Sequence, residues 1–302
     1  MPPDPAAPGA ELLPGFTDER VRVGGVALRV RRRGTGAPVL LLHGYPQTLA
    51  MWHRVAPALA GRFTVVLADL RGYGDSDKPP SAPDHAPYSK RAMAADQLGL
   101  MRALGFERFA VVGHDRGGRV GHRMAVDAPD AVLRLAVLDI SPTLAMYEQT
   151  GFAFARAYWH WFFLVQPEPL PERLIGADPG WYLREKLRRS SQGRWVFDDR
   201  ALAEYVRCFG PETVHASCED YRAAASLDLE HDRADRDAGR RLRCPVLALW
   251  ADRGTVHRLF RPLEDWRAVS AAPVAGRPLA SGHYLAEEVP DEVVAELLRF
   301  LA

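Results

Sequence analysis

Three short stretches of this 302-residue chain carry side chains suited to chemistry. In Val111-Val112-Gly113-His114-Asp115-Arg116-Gly117-Gly118-Arg119-Val120 an apolar run ends in a Gly-x-Asp-x-Gly turn, and a helical pattern follows. Near the C-terminus, Ser281-Gly282-His283-Tyr284 presents a histidine beside a glycine. Upstream, Leu40-Leu41-Leu42-His43-Gly44-Tyr45-Pro46 closes another apolar run. A strand, a Gly-x-nucleophile-x-Gly turn and a helix form an elbow that lifts the central side chain above a sheet. Asp115 could instead be a plain helix N-cap, which Asp does well. The order of nucleophile, acid and histidine along the chain favours the elbow.

Aspartate at the elbow selects the reaction. A carboxylate with an ordinary pKa of about 3.9 is already an anion at neutral pH. It needs no activating base and can attack a saturated carbon, expelling a leaving group and forming an ester. Water deprotonated by His283 would then attack the ester carbonyl. The backbone N–H groups of Tyr45 and Arg116 are expected to hold the resulting oxyanion. This is alkyl transfer followed by hydrolysis, as in dehalogenation or epoxide opening. Arg116 and Arg119 are three residues apart, on nearly one helix face. Two guanidiniums beside a nucleophilic carboxylate could bind a substrate carboxylate by forked, charge-assisted bonds. Arg119 could equally pair with a surface acid.

The elements that must position these residues are legible as short apolar runs at 39–42, 64–67, 109–112, 135–138 and 246–250, with helical patterns between them. One such helix is expected over 90–104, where Met93, Leu100, Met101 and Leu104 fall at helical spacing. Strands alternating with helices predict a mostly parallel sheet covered on both faces. About a hundred residues after Asp139 lack a strong strand signal and are rich in aromatics, among them Tyr158, Trp159, Trp161, Tyr182 and Tyr221. The expected organisation is a core domain from residues 1–140 and 240–302, with a helical cap domain inserted at 141–239.

Bulk composition sets outer limits. Lys+Arg 39 against Asp+Glu 38 provides no global field for nucleic acid or a membrane surface, so anion recognition must be local. The three cysteines form no CxxC pair and the ten histidines are scattered, so neither a disulfide framework, a metal site nor a cofactor is expected. The first residues, MPPDPAAPGAELLPGF, lack a basic region followed by an apolar core. No run approaches the ~20 apolar residues that span a bilayer. A cytoplasmic location is expected.

Taken together, the stretches LLHGYPQT, ADLRGYGDSDKP, YSKRAMAAD, GHDRGGRV, LDISPT, YWHWFFLVQPEPLPE, CEDYRAAAS, EHDRAD, LWADRG and SGHYLAEE resemble the fluoroacetate (haloacetate) dehalogenases of the α/β-hydrolase fold. The pairing of GHDRG with HW in the cap is specific; HGYP and DLRGYGDSD also occur in epoxide hydrolases. The resemblance implies Asp115 as nucleophile and His283 as general base, with Arg116 and Arg119 as the carboxylate clamp. It further implies His160, Trp161 and Tyr221 as halide-stabilising donors on the cap. Fluoride is strongly hydrated, so a dry pocket must replace its water with fixed donors, and an indole N–H can only donate. Read from composition alone, WHW is cap packing. For the triad acid the resemblance points to Asp139, while Asp252 in LWADRG stands where many α/β-hydrolases keep theirs. Ser190 stands where some members carry Trp, which predicts different access. A homodimer is also implied.

The expected reaction is haloacetate hydrolysis, fluoroacetate giving glycolate and fluoride, with a small haloacid as substrate and neither nucleic acid nor membrane as partner. An epoxide hydrolase would share Asp115 and His283 and use cap tyrosines, Tyr221 with Tyr158 or Tyr182, to protonate the opening oxygen. Arg116 has no role there. A carboxylate receptor would need no nucleophile.

Overall fold

The computed structural model describes residues 11–302, so most of the Pro/Ala-rich N-terminal stretch lies outside the described residues. Eight strands form one sheet: β1 (Glu19–Val23), β2 (Val26–Arg33), β3 (Pro38–Leu42), β4 (Thr64–Ala68), β5 (Phe109–His114), β6 (Val132–Leu138), β7 (Val246–Ala251) and β8 (Val274–Leu279). Their order is β1-β2-β4-β3-β5-β6-β7-β8. β1 pairs antiparallel with β2 and β2 with β4, while every pairing from β4 through β3 to β8 is parallel. The mostly parallel α/β architecture is the one expected.

The central strands are buried along almost their whole length because helices cover both faces. That double burial is why β3 to β7 read as apolar runs. β1, β2 and β8 carry no such run. In β1 the half-buried and exposed positions alternate through ERVRV, and β2 carries four arginines in VALRVRRR. The long helix over the expected 90–104 spans Lys90–Ala103, its first turn capped by the Ser89 hydroxyl, which accepts from Ala92 N–H.

Between β6 and β7 the described chain forms helices only, from Thr143–Glu148 through Leu227–Asp237. Their aromatics pack on one another and on the core: Phe154 lies against Tyr158, Trp161 and Phe260, and Tyr182 stacks on Phe209. All three cysteines are free thiols and buried. Among the described residues no helix is long and apolar enough to cross a membrane.

Candidate active site

Asp115 stands at the end of β5, where the chain turns into the helix Arg116–Asp127. Its φ of 47° and ψ of −115° are sterically unfavourable for a residue with a Cβ. The turn is held by close packing around glycines. A Cβ on Gly113 would meet the Gly117 backbone at 2.5 Å, and one on Gly44 would meet Asp115 Cβ at 2.5 Å. The β3 loop therefore runs against the elbow, and the Tyr45 N–H donates to Asp115 Oδ1 at 3.1 Å. With Oδ1 so engaged, Oδ2 is the oxygen left to attack. Burial alone would push the Asp115 carboxyl up. His283, His114 and the guanidiniums of Arg119 and Arg116 outweigh that, holding it well below the usual carboxylate range.

His283 follows β8 and lines the same cavity as Asp115. Its Nδ1 is 2.7 Å from Asp139 Oδ2, and Asp139 Oδ1 accepts from Ala251 N–H at 3.0 Å. Asp139 sits at positive φ just beyond β6, a second strained position beside the elbow. Of the two acids the sequence left open, Asp139 is the one against the imidazole. Asp252 instead faces Arg253 at 3.6 Å, with its side chain well exposed.

Both arginines are buried, and each is held by its own set of partners. Arg116 donates from Nε to Asp220 Oδ2 at 2.9 Å and from Nη2 to Asp220 Oδ1 and to its backbone carbonyl. Asp220 is also paired with Lys90 and accepts from the Tyr73 hydroxyl at 2.6 Å. Arg119 donates from Nη1 to Thr143 Oγ1 at 2.9 Å and to the Ser141 carbonyl at 3.2 Å. Neither guanidinium is fully spent: Arg116 Nη1 and Arg119 Nε are buried without a hydrogen-bond partner. Among the described residues no carboxylate lies within salt-bridge distance of Arg119.

The helical insertion between β6 and β7 brings three further donors to these guanidiniums. Arg116 Cζ lies 4.1 Å from the Tyr221 ring and Arg119 Cζ 4.8 Å from the Trp161 ring. Trp161 Nε1 and the Tyr221 hydroxyl are likewise buried without a partner. His160 packs beside both Tyr45 and Tyr221, at ring distances of 6.3 Å and 5.9 Å. Burial, with Lys186 nearby, holds its pKa well below the ordinary value, so the ring is neutral and has a single N–H to donate. Four unpartnered N–H and O–H donors thus share one dry nest beside an ionised carboxylate. Desolvating them without a partner costs about 1–3 kcal/mol each, a cost that an anion bound among them would recover.

In front of the nest a cavity of about 300 Å³ runs outward from Asp115, Asp139 and His283 past Tyr158, His160 and Lys186. Arg116, Arg119, Trp161 and Tyr221 do not line it. A second hollow of about 370 Å³, lined by His122, Leu144, Glu148 and Asp265, lies away from these groups. Sequence reasoning missed two participants. Asp220, which holds Arg116, lies beside Glu219 on a helix whose residues from Ala216 to Ala224 are all buried. Lys186 is a buried ammonium inside a helix that otherwise reads as charged surface.

The chain matches a family model described as alpha/beta hydrolase fold over residues 37–268. A fluoroacetate dehalogenase from Burkholderia sp is 50% identical over 293 residues, covering 96% of this chain and 95% of that one. A soluble epoxide hydrolase from Corynebacterium sp. (strain C12) is 34% identical over 294 residues, covering 95% of this chain and 98% of that protein. Among solved structures, a proposed α/β hydrolase from Nostoc sp PCC 7120 superposes with a TM-score of 0.93 at 51% identity, covering 95% of this chain and 98% of that one.

Proposed function

Because this chain belongs to the α/β-hydrolase family, with a fluoroacetate dehalogenase as a half-identical relative over nearly its full length, we propose that it hydrolyses the carbon–halogen bond of haloacetates. The observation that carries the reading is the nest of unpartnered donors beside an Asp115 carboxylate held in its ionised form. Arg116 and Arg119 bind the substrate carboxylate and aim its α-carbon at Asp115 Oδ2. As the Oδ2–carbon bond forms, the carbon–halogen bond breaks on the opposite face. The halide leaves into the N–H and O–H groups of His160, Trp161 and Tyr221.

Hydrolysis of the ester follows. His283, oriented by Asp139, takes a proton from water, whose oxygen attacks the ester carbonyl carbon. The oxyanion forms at Oδ1, already beside the Tyr45 N–H, with the Arg116 N–H as second donor. Collapse releases glycolate, regenerates the Asp115 carboxylate and leaves a solvent oxygen on it. We assign residues 141–239 as a cap domain over the core, the chain to the cytoplasm, and a homodimer as its assembly, which sedimentation would check.

Fluoride release from fluoroacetate is expected to vanish in Asp115→Asn. His283→Ala is expected to accumulate the Asp115 ester, visible as a mass increase on the peptide carrying residue 115. An unmodified His283→Ala protein after exposure to substrate would overturn the two-step scheme. The epoxide alternative draws on the free Tyr221 hydroxyl, but it leaves the unpartnered Arg116 Nη1 and Arg119 Nε with nothing to bind. Styrene oxide turnover without haloacetate turnover would reverse the ranking.

A further inference from the structure

The outer cavity is larger than a haloacetate requires. At roughly 30 Å³ for each water-sized group, a two-carbon haloacid fills no more than about half of its ~300 Å³. With carboxylate and halogen seated in the inner nest, a substituent on the α-carbon opens into this cavity. The walls of the cavity are cationic. Lys186, Arg156, Arg189, Arg253 and Arg258 line it, and its only acidic lining residues are Asp115 and Asp139, both at the catalytic floor. In a chain with net charge +1 this concentration of one sign is local.

Lys186 is the unusual member. It is 5% exposed, and its ammonium makes one hydrogen bond, to Ser190 Oγ at 2.8 Å, using one of three donors. No carboxylate lies within salt-bridge distance of it among the described residues. Buried charges are ordinarily paired. The four arginines form an outer rim: Arg189 is engaged by Glu185 at 2.6 Å and Arg253 by the Ala280 carbonyl at 2.9 Å.

We propose that Lys186, positioned by Ser190 and backed by the arginine rim, is a second anion subsite that takes the distal carboxylate of a 2-halo dicarboxylic acid. This inference rests on the haloacid reading of the inner site. For a halosuccinate, the Asp115 Oδ2–C2 bond forms as the C2–halogen bond breaks. Water then adds its oxygen to Asp115, and the 2-hydroxy diacid departs. The reaction itself gives the subsite a role. Burial pulls the Lys186 ammonium down to about 8, and the Asp115 charge is what acts against that. Once Asp115 becomes a neutral ester that charge is gone, and a carboxylate carried by the substrate replaces it.

Two measurements on the full chain test the subsite. Calorimetric titration compares succinate with propionate, neither of which can react. The wild type is expected to bind succinate about tenfold or more tightly, and Lys186→Met and Lys186→Gln to erase that preference, as loss of a charge-assisted bond predicts. In turnover, the ratio of kcat/KM for 2-bromosuccinate to that for bromoacetate is expected to fall ~30-fold in Lys186→Met. A wild type without succinate preference overturns the proposal. So do variants that lower both substrates alike, since Lys186 would then serve Asp115 alone. Intact succinate preference with no halide release from either substrate would instead sink the dehalogenase reading and leave the subsite standing.

Discussion

Replacing Asp220 with Asn tests whether a residue remote in sequence sets the substrate clamp. Asp220 is fully buried between Arg116, Lys90 and Tyr73. Burial opposes its charge, but Arg116 and Lys90 outweigh burial and hold its pKa at about 2, against 3.8 for an ordinary Asp. A folded value below the unfolded one means that the stabilisation is present above about pH 4 and is lost as the pH falls toward 2. At 1.36 kcal/mol per pH unit the gap is worth about 2.5 kcal/mol near neutrality. Asparagine keeps the shape and an acceptor but loses that charge. It also leaves two cations facing one another, a situation Lys90 relieves by giving up its proton, since burial and Arg116 already pull its pKa down. A Tm lower by roughly 5 °C at pH 7 follows for a chain of this size.

The functional consequence is sharper than the thermal one. Arg116 would keep its backbone-carbonyl contact but lose its forked anchor, and a clamp displaced by a fraction of an ångström orients its substrate poorly. The kcat/KM for chloroacetate is expected to fall ~10–100-fold, with KM carrying part of the loss. Differential scanning calorimetry and a halide-release assay on the same preparation read both effects. A variant with wild-type Tm and wild-type KM would refute the assignment of Asp220 as the residue that positions Arg116.

Further outcomes follow from the same geometry. Trp161→Phe keeps the ring over Arg119 but removes an N–H that has no other partner, so fluoroacetate turnover should drop ~100-fold and bromoacetate turnover much less, read by ion-selective electrode. Asp139→Asn deprives His283 Nδ1 of its charged acceptor, so rapid-quench measurements should show one equivalent of halide released, then a stall. Gly44→Ala places a methyl 2.5 Å from Asp115 Cβ; the elbow must shift, and activity is expected to be lost while far-UV circular dichroism stays unchanged. Because the Asp115 carboxyl lies below the ordinary range, single-turnover halide release by the wild type should not slow between pH 7 and about pH 4.5. A rate falling with an apparent pKa above 4 would show that the nearby cations do not control Asp115.

Much of this molecule was readable before any coordinates because its decisive signals are local. The parallel strands are covered on both faces, so β3, β4, β5, β6 and β7 appear as apolar runs. β1 at the sheet edge and β2 beside it show no such run because they carry arginines that pair with Asp18, Asp75 and Asp77. The exposed β8, VAGRPL, has too little apolar content to stand out. The elbow was legible because its tight turn demands small residues on both sides of Asp115, within five positions.

What sequence alone determined, then, is the fold family, the residue types gathered around its elbow and the kind of reaction an ionised aspartate can perform. The tertiary structure decided which acid faces His283, since Asp139 and Asp252 end adjacent parallel strands and only their registration brings one carboxylate within 2.7 Å. It also decided that Arg116 is anchored by Asp220, 104 residues away, and that the donors of Arg116, Arg119, Trp161 and Tyr221 remain free in one dry nest. Hydrogen-bond saturation and charge pairing depend on which distant groups meet after packing, and no local pattern of residues encodes that.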